Sequence, residues 1–299
     1  MKIGFIGCVL SSKVALEALL ENNHNYEVVA VITKKKSNFN SDFVDLGSIC
    51  SKNNLPIHYE DSKNKRESIR FMKKYNPDVI YCIGWSYLLT KEFLEICKHG
   101  VVGFHPASLP KNRGRHPIIW SLCLGLEETS STLFMMEEGA DTGPIINQKN
   151  IKISKNDNAK SLYEKILKKL KIQIQSSALD FFKDTVKKNK QDHTKSNIWR
   201  KRSFSDGQID WRMSANDINN LIRALYKPYP GAHFVFKEKH ITVFESKVSK
   251  RKQKKNIEPG KVLDVNSLEN SFLIKCGSNT AIWIYNDEPL KHIKIGDYL

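Results

Sequence analysis

The sequence predicts an α/β protein: a doubly wound, mainly parallel sheet with a smaller C-terminal, mostly-β domain. Three observations carry that prediction. Apolar runs with strand character alternate with helically spaced segments over the first two-thirds of the chain, as βαβ units require. The alternation stops near residue 188. Beyond it, short apolar runs are separated by turns bearing glycine and asparagine, which points to a small β-barrel (OB-like) or sandwich.

Taken in order, residues 2–7 (KIGFIG) form a strand ended by glycine, and Ser11–Leu20 shows helical apolar spacing. Val28–Thr33 reads as a second strand, Phe43–Asn53 and Arg66–Tyr75 as helices, and Val79–Gly84 as a third, buried strand. Thr90–Cys97 reads as a helix, Val101–His105 as a fourth strand and Pro117–Leu124 as a helix. Ser131–Met136 and Ile145–Ile153 follow as strands. Asn158–Lys187 is a long amphipathic helix with Leu162, Ile166, Leu170, Ile174, Leu179 and Phe182 on its inner face. Polar, basic Lys188–Arg202 reads as a linker. After it come a helix over Ala215–Tyr226 and strands over His233–Phe236, Ile241–Val248, Lys261–Val265, Ser271–Lys275 and Thr280–Tyr285. The change of pattern sets the expected domains at 1–190 and 203–299.

The chain has 299 residues, enough for one large domain or two smaller ones. Its first residues carry no basic region followed by an apolar stretch, which argues against a signal peptide. No apolar run approaches the roughly 18 residues of a membrane span. Cys8, Cys50, Cys82, Cys97, Cys123 and Cys276 are scattered without a C-x-x-C pair. Six reduced thiols in a cytoplasmic protein are expected, and no metal site. The formal charge of +16 invites a nucleic-acid reading, but lysines are spread over the whole chain. The densest cluster, Lys247, Lys250, Arg251, Lys252, Lys254 and Lys255, reads first as a solvated loop between strands and second as a phosphate-binding patch. Gly4-x-x-Gly7 is not a G-x-G-x-x-G fingerprint, and no Walker A pattern is present.

In an open α/β sheet, ligands sit beyond the carboxyl ends of the strands. Three segments fall there: Gly84–Leu89, His105–Arg115 and Met136–Gly143. A histidine after a strand is often only structural. Here a proline-stiffened loop with Arg113 and Arg115 follows it, and a glycine-flanked Asp141 lies downstream. A histidine base oriented by a carboxylate is a minimal kit for moving protons in group transfer.

Several stretches together resemble the 10-formyltetrahydrofolate-dependent formyltransferases. These are Gly103-Phe104-His105-Pro106-Ala107-Ser108-Leu109-Pro110-Lys111-Asn112-Arg113-Gly114-Arg115, Glu137-Glu138-Gly139-Ala140-Asp141-Thr142-Gly143, Asp206-Gly207-Gln208-Ile209-Asp210-Trp211, Ile222-Arg223-Ala224 and Pro228-Tyr229-Pro230-Gly231-Ala232. The match runs almost from end to end, with its elements in the family's order. The resemblance implies that a formyl group passes from 10-formyltetrahydrofolate to a primary amine. His105 then matches the catalytic histidine and Asp141 the carboxylate that orients it. Tyr87, Leu88 and Leu89 match a segment whose backbone holds the pterin. Arg115 and Glu137, Glu138, Gly139, Ala140 and Asp141 match further folate-contacting positions. Arg223 and Tyr229 are the candidate substrate contacts of the C-terminal domain. One departure stands out: the family's asparagine, two residues before the histidine, is Gly103 here. That amide would donate to the oxyanion, a contribution of about 10²–10³ in rate. Glycine is expected to leave room and expose its own N–H, so Gly103→Asn is expected to be tolerated or to raise the rate.

Two features bear on the amine. Arg115-His116-Pro117-Ile118-Ile119-Trp120 has the form of the sugar enzymes, and the segment after Lys34-Lys35-Lys36 is shorter than in the tRNA enzymes. The same stretch also reads as a packed helix with Trp120 as core. The expected substrate is an amino-deoxy sugar, nucleotide-linked or a nonulosonic-acid precursor, for a surface polysaccharide. Methionyl-tRNA formyl transfer is the runner-up. A folate- or sugar-nucleotide-binding regulator with an impaired site is the third reading. Nucleic acid and membrane are not expected partners, and the oligomeric state is left open, a homodimer being one option.

Overall fold

In the computed structural model, which describes residues 1–21, 24–37, 40–60, 65–286 and 293–299, the elements follow one another in the expected order. They are β1 (Lys2–Ile6), α1 (Leu10–Leu20), β2 (Glu27–Thr33), α2 (Gly47–Lys52), β3 (Ile57–Tyr59), α3 (Lys65–Tyr75), β4 (Val79–Cys82), α4 (Lys91–Leu94) and β5 (Val101–His105). Then come β6 (Arg113–Gly114), α5 (Pro117–Cys123), β7 (Glu128–Met135), β8 (Ile145–Lys152), α6 (Ala159–Phe182) and β9 (Ile198–Trp199). The remainder is α7 (Ala215–Ala224), β10 (Ala232–Phe236), β11 (Lys239–Val243), β12 (Glu245–Val248), β13 (Val262–Asn266), β14 (Ser271–Lys275) and β15 (Ala281–Tyr285).

Seven strands form one sheet in the order β3-β2-β1-β4-β5-β7-β8. The first five are parallel, and β7 runs antiparallel to β5. β4 is buried along its whole length and β1 after its first residue, as strands covered on both faces must be. The sheet therefore presents the carboxyl ends of β1, β4 and β5 side by side, and His105 is the last residue of β5.

The chain folds as two compact units. One comprises Met1–Pro117, Thr129–Ile151 and Glu164–Trp199, the other Ile118–Glu128, Lys152–Tyr163 and Arg200–Leu299. In the second, β12-β15-β14-β13 form a four-stranded sheet and β10-β11 a two-stranded one, with antiparallel pairing throughout. The six basic residues singled out between Lys247 and Lys255 are all exposed. Among the described residues no helix is long and apolar enough to cross a membrane.

Several local expectations need correction. The helix foreseen over Phe43–Asn53 is confined to Gly47–Lys52, because Phe43 bridges Val9 in extended form and Asp45 Oδ1 takes the Gly47 N–H at 2.8 Å. The single strand foreseen over Ile241–Val248 is two, β11 and β12, which pair with different neighbours. The inner face of α6 continues from Ile174 through Ala178 and Phe181, while Phe182 is exposed. Five residues beyond Ile174, Leu179 lies about 140° round a helix of 3.6 residues per turn. The short strands β3, β6 and β9 carry no readable period. Part of the segment read as a linker is ordered in the first unit: Asn189 exchanges backbone hydrogen bonds with Ile145, Gln191 is buried, and β9 pairs with β6.

Candidate active site

The site begins with one buried imidazole. His105 is 5% exposed and stands in register with Thr132 of β7. Its Nε2 lies 2.7 Å from the carbonyl oxygen of Asn112. A carbonyl only accepts, so Nε2 carries the proton. Nδ1 faces Asp141 Oδ2 at 3.6 Å, beyond hydrogen-bond length. In the neutral ring Nδ1 is therefore the bare nitrogen, and it can take up or release a proton without disturbing the Asn112 contact. In the imidazolium both N–H groups face an oxygen, one a carbonyl and one a carboxylate. That arrangement lets the ring pass a proton through Nδ1.

Asp141 is placed by its turn. It adopts φ 57°, a left-handed conformation that Asp tolerates better than most residues. Its Oδ2 accepts the Gly114 N–H at 2.9 Å. The turn closes at Gly143, where a Cβ would run into the Met135 carbonyl oxygen, so only glycine lets the loop return there. Thr142 Oγ1 donates to Gly139 O at 3.1 Å. The structure thus brings together the His105–Arg115 and Met136–Gly143 loops, with the carboxylate bonded to the Gly114 N–H and facing the imidazole across 3.6 Å.

The other site residues expected from sequence fall as follows. Tyr87 and Leu88 are 41% and 59% exposed. With Leu89, Trp85 and Phe93 they line a small cavity that also meets Lys65 and Ile69 of α3. Leu89, Trp85 and Met136 all pack on one apolar cluster that includes Cys82, Phe93 and Val101. Lys34 Nζ stands 4.0 Å from the centroid of the Tyr87 ring. Glu137, Glu138, Gly139 and Ala140 are exposed. Arg115 is also exposed, its N–H donating to Trp199 O at 3.0 Å. Arg113, the other arginine of that loop, is buried and engaged by Gln191 Oε1 and His193 Nδ1.

The expectation of room at Gly103 fails. Gly103 is paired with Cys82 on one side and Phe134 on the other, so its backbone lies inside the sheet. A Cβ there would sit 2.8 Å from Phe134 Cζ and 2.8 Å from Met136 Cγ. Two apolar side chains fill the place of the missing amide.

Arg223 and Tyr229 belong to the second unit. Arg223 Nη1 donates to the carbonyls of Ser154 and Asp157 at 3.2 and 3.0 Å, and Nε donates to Asn220 Oδ1 at 2.9 Å. Burial pushes the guanidinium down, opposed by Asp157 and Cys123. It lines a cleft of about 1140 Å³ with Lys152, Lys155, Asn219, Tyr226 and Lys247. Tyr229 is half-buried, and its N–H closes a turn on Tyr226 O at 3.1 Å. Trp120 is half-buried, donates Nε1–H to Arg200 O at 3.0 Å, and has Arg202 4.7 Å from its ring centroid. It is half-covered and does not join the buried core foreseen for it.

Sequence reasoning missed Asn112, Gly114, Phe134, Gln191 and Asn197. Asn112 and Gly114 act through backbone atoms, which leave no side-chain signature. Phe134 reads as ordinary strand core. Gln191 and Asn197 sit in a polar stretch without periodicity. Burial pushes the six thiols up, the Cys8, Cys50, Cys97 and Cys123 thiols to about 11, so at neutral pH none of these four is a thiolate nucleophile. Among the described residues no group of three or more His, Cys, Asp or Glu side chains is set to hold a metal ion.

Comparison with known proteins gives a consistent picture. A family model described as formyl transferase matches residues 1–179, and the formyl transferase C-terminal domain matches residues 202–296. The bifunctional polymyxin resistance protein ArnA of Wigglesworthia glossinidia brevipalpis is 32% identical over 302 residues, covering 98% of this chain but 44% of its own length. The chain therefore spans less than half of that curated relative. Methionyl-tRNA formyltransferase of Caldanaerobacter subterraneus subsp. tengcongensis is 29% identical over 309 residues, covering 100% of this chain and 96% of its own. The crystal structure of WlaRD, a sugar 3N-formyl transferase, in the presence of dTDP and 5-N-formyl-THF, superposes with a TM-score of 0.72 at 20% identity. It covers 97% of this chain and 99% of its own, and at that identity the likeness is one of fold.

Proposed function

Because the chain belongs to the formyl transferase family, we propose that it moves the formyl group of 10-formyltetrahydrofolate to the primary amine of an amino-deoxy sugar. The sugar would be nucleotide-linked or a precursor of a nonulosonic acid. The observation that carries the chemistry is the His105 ring, protonated at Nε2 against Asn112 O, with bare Nδ1 facing Asp141.

The folate would supply an activated formyl carbon. The residues fit such a donor: Tyr87 and Leu88 leave apolar surface uncovered beside Trp85, and exposed backbone is on offer at 137–140. A flat pterin needs that combination of an apolar face and in-plane polar partners. As the acceptor amine bonds to the formyl carbon it loses a proton, which His105 Nδ1 takes. Asp141 supports the cation that forms. The same Nδ1–H then returns the proton to the departing folate nitrogen, so the chain ends as it began.

The acceptor assignment is supported by the sugar-type segment Arg115–Trp120 and by the end-to-end likeness to the fold of a sugar 3N-formyl transferase. Against it stands the tRNA reading, favoured by the full-length match to methionyl-tRNA formyltransferase and by the exposed basic loop. The deciding experiment presents 10-formyltetrahydrofolate with a panel of nucleotide-linked amino sugars and with methionyl-tRNA. Products are read by mass for the gain of one CO. Formylated sugar with unmodified methionyl-tRNA is the expected result; the reverse promotes the runner-up.

A further inference from the structure

The segment between α6 and β9 bonds both loops that carry the His105–Asp141 pair, although nothing in its sequence marks it as functional. Gln191 is only 7% exposed. Its Oε1 accepts from Arg113 Nη2 at 2.6 Å and Nε at 3.3 Å, which fixes the loop that follows His105. Its Nε2 donates to Asp141 O at 2.9 Å and Gly143 O at 2.7 Å, which fixes the turn that carries the carboxylate. One amide thus uses both of its donors and its acceptor to join two loops that meet nowhere in sequence. Six residues on, Asn197 Oδ1 accepts the Asn112 N–H at 2.8 Å, and Asn197 O accepts the Arg113 N–H at 3.1 Å. Asn112 is the residue whose carbonyl holds His105 Nε2, and it sits at φ 64°.

We propose that residues 189–199 form a positioning strap, in which Gln191 sets the spacing between His105 and Asp141 and Asn197 sets the tautomer of His105. The catalytic meaning of that pair rests on the function proposed above; the placement does not. Two facts favour positioning over simple packing. The polar contacts of Gln191 and Asn197 fall on the residues that set the pair, namely Asn112, Arg113, Asp141 and Gly143. The gap they hold, 3.6 Å from Nδ1 to Oδ2, is one no direct bond maintains. A displacement of about 1 Å in such a pair can lower turnover about 100-fold. The charged and titratable groups facing this arrangement are Asp141 on the turn, Arg113 on the loop and His193 on the strap itself.

The two roles have separate signatures. Gln191→Glu keeps an acceptor for Arg113 and loses both donors to the Asp141 turn; Gln191→Met loses all of them without adding charge. Asn197→Ala lies at an exposed position and frees Asn112. In the full chain, the imidazole nitrogen resonances of His105 are followed by NMR at one fixed pH. Formyl transfer is measured alongside, with a thermal midpoint for each variant. Both Gln191 variants are expected to shift the His105 Nδ1 resonance, because the carboxylate facing that nitrogen moves off. They should lower kcat about 10- to 100-fold while KM stays within about twofold. Asn197→Ala is expected to turn the single Nε2–H tautomer into a mixture, with a smaller fall in kcat. A lowered thermal midpoint with unchanged Nδ1 resonance, tautomer and kcat overturns the proposal, as does a change confined to KM. Should the Gln191 variants not fold, Asn197→Ala decides alone: an unchanged tautomer overturns it. If wild-type protein formylates no acceptor, the function fails, while the NMR signatures still decide the strap.

Discussion

Two carboxylate sites of this molecule are built on opposite principles. In the first unit, Asp141 faces His105 across 3.6 Å, and the imidazole keeps one nitrogen unengaged. In the second, Asp206 is closed on Arg200 through both oxygens and takes the Ser203 N–H, and Asp210 is closed on Arg212 in the same way. Arg200 beside Asp206 holds its carboxyl far below the usual carboxylate range. All three aspartates lie in motifs that carry the family resemblance, yet the proposed function gives chemistry only to Asp141. A closed pair stabilises its own turn; a pair held just short of contact can exchange a proton. Motif membership does not distinguish the two, whereas the count of satisfied donors and acceptors does.

The largest expected effect tests that contrast directly. His105→Ala and Asp141→Ala are each expected to lower turnover by about 10²–10⁴ with the fold retained by circular dichroism. Asp206→Ala should leave turnover per folded molecule unchanged. Near-wild-type turnover in either first-unit variant would erase the distinction.

Next in size is Gly103. With Phe134 and Met136 at 2.8 Å from a Cβ, Gly103→Asn should destabilise the chain by about 1–3 kcal/mol through overpacking and lower turnover. Combined with Phe134→Ala, its cost should be smaller than the sum of the two single changes, since they compete for one space. Strict additivity in urea melts would show that the sheet accommodates the asparagine elsewhere.

The basic loop sharpens the comparison from the side of the acceptor. Neutralising Lys247, Lys250, Arg251, Lys252, Lys254 and Lys255 together should barely change turnover on a small sugar nucleotide, because exposed charges are screened within roughly 8 Å at physiological salt. A steep salt dependence of formyl transfer, lost in that variant, would instead indicate contacts to several phosphates and favour tRNA.

The smallest effect concerns the closed pair. The Asp206 carboxyl is depressed in the folded chain, first by Arg200 and then by the Ser203 N–H. Its contribution to stability is therefore complete above the unfolded carboxylate value, about 3.9. It fades as pH falls toward the folded value. Asp206→Asn should lower the thermal midpoint modestly at neutral pH, and the difference from wild type should shrink on acidification below about pH 4. A gap that stayed constant into strong acid would mean that the ion pair contributes nothing beyond the shape of the turn.

The sequence by itself determined the alternation of strands and helices and the change of character after residue 188, and it named the two titratable groups of the candidate site. These are local properties: burial on both faces demands continuous apolar runs, and only a few side chains move protons near neutral pH. It misjudged what depends on distant neighbours. The polar stretch read as a linker carries Gln191 and Asn197, whose partners lie far away in the chain: 50 residues from Gln191 to Asp141, 78 to Arg113, and 85 from Asn197 to Asn112. Gly103 looked like vacant space because its filling comes from Phe134, across the sheet. Which nitrogen of His105 is bare was likewise decided by tertiary structure alone, since a backbone carbonyl that any residue could have supplied happens to be held at Nε2. Periodicity and residue type record what a side chain can do, while the neighbours that complete or cancel that capacity are fixed only when the chain closes on itself.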